Sequence, residues 1–247
     1  MARDLCLRCL RPRVVCLCSF VSPRSTNARF VLLMHPKELK KVKNGTGRAA
    51  HLSLLDSELF VLVNADDDER VLRLVGDPAN DCYVLYPGRE AHDLHEGPSP
   101  HRPDRRLVLF LLDATWPCAR KMMRLSPTLR ALPRLSFRAE RPSEFVIKQQ
   151  PDPLCLSTIE AIDRVLGLMD GWGQERHDAA DSDRLLAPLR GIVAIAQRYA
   201  ADDSTPSYRA NRKMSRPEDR RVSKKISQRG IVHEEPRAPQ STEVSGA

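Results

Sequence analysis

The sequence predicts an α/β domain built on a parallel sheet covered on both faces. Val108–Leu112 (VLFLL) is a continuous apolar run rather than an alternating one, the pattern of a strand buried on both sides. Short apolar runs recur at Arg29–Met34, Leu59–Val63 and Cys82–Tyr86. Helix-start signals follow: Thr115 before Pro117, Ser126 before Pro127, and Ser157-Thr158 before an apolar stripe. At 247 residues the chain buries one good core with room for a small appendage, and no internal repeat is visible.

Taken in order, the chain begins with CLRCLRPRVVCLC, where Cys6 and Cys9 form a CxxC pair and Cys16 and Cys18 a tighter CxC pair. Four thiolates complete a tetrahedral zinc shell with no open position, so the expected site is structural and supplies folding energy to residues 1–28. Disulfides and an iron–sulfur centre are the competing readings, the former disfavoured in a reducing compartment. The start, MARDLCLRCL, lacks the basic-then-apolar order of a signal peptide, and no apolar stretch spans a bilayer. A cytoplasmic protein without a membrane segment is expected.

The strand at Arg29–Met34 ends at His35-Pro36, and a basic, Gly-containing loop follows. Lys37, Lys40, Lys41, Lys43 and Arg48 surround NGTGR, in which Thr46 is expected to cap a helix through His51 and Leu54. The spacing is not that of a Walker loop. After the strand at Leu59–Val63, the acidic run Asp66–Glu69 reads as a solvated turn. Cys82–Tyr86 is a strand ending in Pro87-Gly88, and the Pro-rich Gly97–Arg106 is a surface loop. His92, His95 and His101 show no metal-ligand spacing, and Cys82, Cys118 and Cys155 stand alone.

The central strand stops at Asp113, and a helix is expected over Trp116–Leu125 with Thr115 as N-cap. Ligands of open α/β sheets sit outside the carboxyl ends of strands, which places Asp113, Thr115 and Trp116 where a small molecule binds. Further strands are expected near Leu135–Phe137 and over Phe145–Lys148. Ser157 or Thr158 caps a helix whose apolar face is Ile159, Ile162, Val165, Leu166 and Met169, with Glu160 near its start. Gly171–Asp183 reads as a loop and Leu185–Ala201 as a terminal helix.

From Asp202 the apolar periodicity fades and nine cations stand between Arg209 and Arg229, a basic tail over 202–247. Net charge is +8 and the pI about 9.3, which favours polyanionic partners over acidic proteins. With 5% aromatic residues, a folded phosphate-rich surface suits the chain better than a broad single-strand stacking platform.

In their order, CLRCLRPRVVCLC, the strand ending at His35-Pro36, NGTGR, VLYPG, LLDATWPCARKM, the SPTLRALP run and LSTIEA resemble the DTW-domain family over about residues 5 to 170. The resemblance implies a SPOUT-like, knotted α/β domain over 29–201. It also implies an S-adenosylmethionine-dependent transferase that moves the 3-amino-3-carboxypropyl group onto uridine of tRNA. The implied catalytic residues are Asp113, Thr115 and Trp116. The donor would lie against Leu85, Tyr86, Pro87, Gly88, Leu112, Ala114, Leu156, Ser157, Thr158 and Glu160. Candidate RNA contacts are His35, Lys37, Thr46, Gly47, Arg48, Arg120 and Lys121, with Arg120 an alternative holder of the donor's carboxylate. Phe145 and Lys148 stand where the family pattern often has Tyr and Arg. A SPOUT-type RNA methyltransferase and a non-catalytic zinc-containing RNA-binding protein are the alternatives. No stable protein partner is expected, and the oligomeric state is left open.

Overall fold

The computed structural model describes residues 4–41, 45–148, 152 and 154–201. Its sheet has six strands, all paired in parallel: β1 (Arg29–Met34), β2 (Ser57–Val61), β3 (Asn80–Leu85), β4 (Ala91–Asp93), β5 (Arg106–Asp113) and β6 (Arg134–Ser136), in the order β2-β1-β5-β3-β6-β4. The helices are α1 (Pro36–Lys41), α2 (Thr46–Ser53), α3 (Glu69–Gly76), α4 (Trp116–Leu125), α5 (Pro127–Ala131), α6 (Thr158–Gly171) and α7 (Ala179–Ala201).

The side chains of β5 explain its central place. Leu107, Leu109 and Leu111 enter a core closed by residues of α2, α6 and α7, while Val108 and Phe110 enter a second core closed by residues of α3, α4 and α5. Both sets are 3% exposed or less, so the apolar run is continuous because neither face sees water.

The same division creates a crevice. The chain leaving β1 runs to α2 on one face, whereas the chain leaving the neighbouring β5 runs to α4 on the other. Connections that part in this way leave an opening at the carboxyl ends of the two strands, the usual ligand position in open parallel sheets.

Several expectations need correction. Phe145–Lys148 is a turn, with the Lys148 N–H on the Phe145 carbonyl at 3.2 Å, and Glu160 fixes the preceding residues by accepting from the Ser143 hydroxyl and the Glu144 N–H. Residues 66–69 are not a plain solvated turn: Asp66 accepts from the Thr128 hydroxyl at 2.7 Å, and Asp68 caps α3 by accepting from the Arg70 N–H. Helix α3 itself and the short edge strand β4 were not expected; three-residue β4 lacks enough length for a periodic signal. Strands β2 and β3 begin two residues earlier than expected. Helix α7 begins six residues earlier, where the Asp178 carboxylate accepts from the Asp181 N–H at 2.9 Å. Neither Thr115 nor Thr46 caps through its side chain; Thr46 is the first residue of α2 and Gly45 precedes it as N-cap.

The N-terminal segment folds by local hydrogen bonds. The Leu10 N–H reaches the Cys6 carbonyl and the Cys6 N–H the Arg11 carbonyl, both at 2.8 Å, which forces Leu10 into the left-handed region at φ 57°. Phe20 lies against Gly191 of α7, where an added Cβ would come within 2.7 Å of the ring. Among the described residues no helix is long and apolar enough to cross a membrane.

Candidate active site

A cavity of about 510 Å³ opens at the carboxyl ends of β5, β3 and β6. That volume lies within the range of about 300–1,000 Å³ that encloses small organic ligands. Its walls come from four stretches: Leu85–Pro87 at the end of β3, Leu111–Pro117 at the end of β5, Leu135–Phe137 at the end of β6, and Leu154–Thr158 leading into α6. Gly45, Thr46 and Glu38 close it on the β1 side, and Phe145 and Lys148 on another.

Asp113 is the chemical centre. Its residue is 6% exposed, Oδ1 accepts from the Thr158 hydroxyl at 2.6 Å, and Oδ2 is buried with no hydrogen-bond partner among the described residues. Gly47 backs that oxygen so closely that a Cβ there would stand 2.2 Å from it. Burial pushes the Asp113 carboxyl up to about 6; the Thr158 hydroxyl opposes the rise, the Glu38 charge adds to it and Lys148 opposes it. An acid that is nearly dry, half-satisfied and titrating near neutrality is suited to accepting a proton from a bound ligand.

Behind it sits His35, 6% exposed, whose N–H donates to the Asp113 carbonyl at 3.0 Å and whose Nδ1 accepts from the Lys37 N–H at 3.1 Å. Burial holds the His35 imidazole below its ordinary value, and the charge of Lys37 lowers it further. At the mouth, Trp116 is 40% exposed and meets Tyr86 edge-on with ring centroids 6.3 Å apart, while the Arg134 guanidinium lies 5.9 Å from the Tyr86 centroid.

The three motif residues Asp113, Thr115 and Trp116 all line the cavity, as do Leu85, Tyr86, Pro87, Leu112, Ala114, Leu156, Ser157 and Thr158. Gly88 and Glu160 are not among its lining residues. Glu160 is committed elsewhere: its carboxylate accepts from the Ser157 N–H, the Ser143 hydroxyl and the Glu144 N–H at 2.7–2.8 Å, tying the 143–145 loop to the start of α6. Of the residues assigned to RNA, Thr46 lines the cavity and Gly47 packs on Asp113. Lys37, Arg120 and Lys121 are exposed outside it, Arg48 is half-buried, and His35 is buried behind it. Lys43, Asn44 and the basic tail fall outside the described residues.

Sequence reasoning missed Glu38, Phe137 and Cys155 as lining residues, and marked Phe145 and Lys148 only as departures from the family pattern. Glu38 had a usable signal, since it stands four residues past the end of a parallel strand. Phe145 and Lys148 reach the cavity on a loop whose preceding residues, Ser143 and Glu144, are bonded to Glu160.

The Sγ atoms of Cys6, Cys9, Cys16 and Cys18 lie within 4.8 Å of one another. Cys6–Cys18 is 3.6 Å and Cys9–Cys16 3.7 Å, and all four thiols are free. A tetrahedron of sulfurs around a metal with bonds of about 2.3 Å has edges of about 3.8 Å. The residues therefore fit a closed four-thiolate metal centre.

The fold and site define a parallel α/β domain with a cavity of ligand size at the carboxyl ends of its strands and a separate cluster of four thiols that could hold a metal. The chain belongs to the DTW domain family, whose model matches residues 3–197. It is similar to tRNA-uridine aminocarboxypropyltransferase 2 of Drosophila melanogaster, 26% identical over 90% of this chain and 87% of that protein. The mouse protein of the same name is 27% identical over 81% of this chain, which spans 65% of its length. tRNA-uridine aminocarboxypropyltransferase A of Arabidopsis thaliana is 25% identical over 80% of this chain and 82% of that protein. No solved structure matches the chain.

Proposed function

We propose that the chain is a tRNA-uridine aminocarboxypropyltransferase using S-adenosylmethionine. The observation that carries this is the buried, half-satisfied Asp113 inside a cavity of ligand size, in a chain whose relatives bear that enzyme's name. A protein that only bound RNA would have no use for an acid kept dry at the cost its raised pKa implies.

N3 of the uracil gives its proton to the Asp113 carboxylate, and the resulting nitrogen lone pair attacks the arm's methylene beside the sulfonium. The carbon–sulfur bond breaks, its electron pair stays on sulfur, and neutral methylthioadenosine leaves. Thr158 holds Oδ1 and Gly47 lies against Oδ2, which together fix the carboxylate at the cavity wall. The aromatic residues Tyr86 and Trp116 offer a stacking surface for a base turned out of the RNA.

In the same reading the four cysteines hold structural zinc for the 1–28 segment, residues 29–201 form the catalytic domain with the knotted cofactor site of SPOUT-type proteins, and the protein works in the cytoplasm. The exposed cations Lys37, Arg120 and Lys121 and the basic tail take RNA phosphates.

The test is mass spectrometry of unmodified tRNA incubated with protein and S-adenosylmethionine, following nucleosides and spent donor together. An aminocarboxypropyl uridine with methylthioadenosine is expected. A methylated base with S-adenosylhomocysteine, or tRNA bound without any adduct, would overturn the assignment.

A further inference from the structure

The cavity is electrically lopsided. Its β3 and β6 side is apolar, with Leu85, Leu135 and Phe137, whereas its β1 side presents Glu38 next to Asp113. Glu38 is 8% exposed, and its carboxylate has no hydrogen bond or ion pair among the described side chains. Its own N–H is used by the His35 carbonyl at 2.8 Å, which fixes the backbone of α1 and leaves the carboxylate for the cavity. Two neighbouring buried acids, one with an unpartnered oxygen, repel each other and gain from a cation placed between or beside them. Among the described lining residues Lys148 is the one Lys or Arg.

The donor's charges mirror this inventory: a sulfonium, an ammonium and a carboxylate. We propose that Glu38 binds the α-ammonium of the donor's aminocarboxypropyl arm, with Lys148 facing the arm's carboxylate and the adenosine lying on the apolar β3–β6 side. The inference rests on the transferase reading above. It assigns Glu38 a specificity role: drawing the arm across Asp113 toward β1 sets the arm's methylene, rather than the methyl group, in line with the acceptor nitrogen.

The experiment is calorimetric titration of the full chain and of Glu38→Gln with three ligands. S-adenosylmethionine has arm and sulfonium, S-adenosylhomocysteine has the arm without the sulfonium, and methylthioadenosine has neither. Glu38→Gln is expected to weaken the first two roughly tenfold or more and to leave the third unchanged. A loss confined to S-adenosylmethionine would assign Glu38 to the sulfonium and overturn the inference. So would no loss at all, or an equal loss for all three, which marks a damaged pocket. Failure of the wild-type chain to bind any of them would instead remove the transferase reading on which the inference stands.

Discussion

In the proposed mechanism Asp113 links stability to activity at the level of one carboxyl group. Its pKa is raised from 3.8 to about 6 by burial, so between those values the unfolded chain is ionised while the folded chain keeps its proton. The stability associated with the neutral acid is therefore fully present below 3.8 and lost as pH rises through about 6, by an amount on the order of 3 kcal/mol. Asp113→Asn stays neutral throughout. Melting curves across this range should show the variant gaining on the wild type up to pH 6 and holding its lead above; a gap independent of pH would refute the titration. Turnover should be lost in the variant, and wild-type kcat/KM should fall tenfold per pH unit below about 6, since the ionised form accepts the proton. The position of Asp113 at the cavity was legible because an acid at the end of a buried strand is chemically conspicuous. The role of Glu160 was not: a carboxylate at a helix start serves a ligand or a loop equally well, and only its three partners decide.

Among the elements, α2 and the four-cysteine segment make the sharpest demands. Gly47 lies in the first turn of α2 with its Cα against the Asp113 carboxylate. Gly47→Ala improves helix propensity by about 1 kcal/mol, yet its Cβ must drive the carboxylate aside. A small change in melting temperature with a roughly 100-fold loss of turnover is expected, because displacing a catalytic group by about 1 Å has that effect. Full activity in a folded Gly47→Ala protein would mean that Asp113 is not the reacting group. For the cysteine segment, elemental analysis should find roughly one zinc per chain. Cys9→Ser should lose it and expose residues 4–20 to protease, since little apolar burial holds them otherwise; Leu7 and Val14 are 88% and 75% exposed. Zinc absent from freshly purified wild type would count against the metal centre. Helices α4 and α6 could be read from sequence because cap, proline and apolar stripe agree within one segment. Strand β4 and the turn at 145–148 could not, since their form depends on β6 and on Glu160.

Over the whole molecule, a net charge of +8 makes association with tRNA depend on salt. Removing residues 202–247, which include nine cations between Arg209 and Arg229, should weaken tRNA binding and flatten its dependence on salt between about 50 and about 200 mM. Affinity for S-adenosylmethionine is expected not to change, since the described lining residues of the cavity fall between Glu38 and Ala161. An unaltered salt slope would place the phosphate contacts on the domain itself. The sequence by itself determined the parallel α/β class, the buried central strand, the four-cysteine set and the Asp113–Trp116 cluster, because each is written in short-range pattern: apolar runs, ligand spacing, cap chemistry. Tertiary structure alone decided that β1 and β5 lie side by side with their connections parting to opposite faces, and so that Glu38 and Gly47 meet Asp113 across more than sixty residues of chain. Such meetings depend on how long-range packing closes the two cores, a free-energy balance spread over every buried side chain and recorded in no single segment.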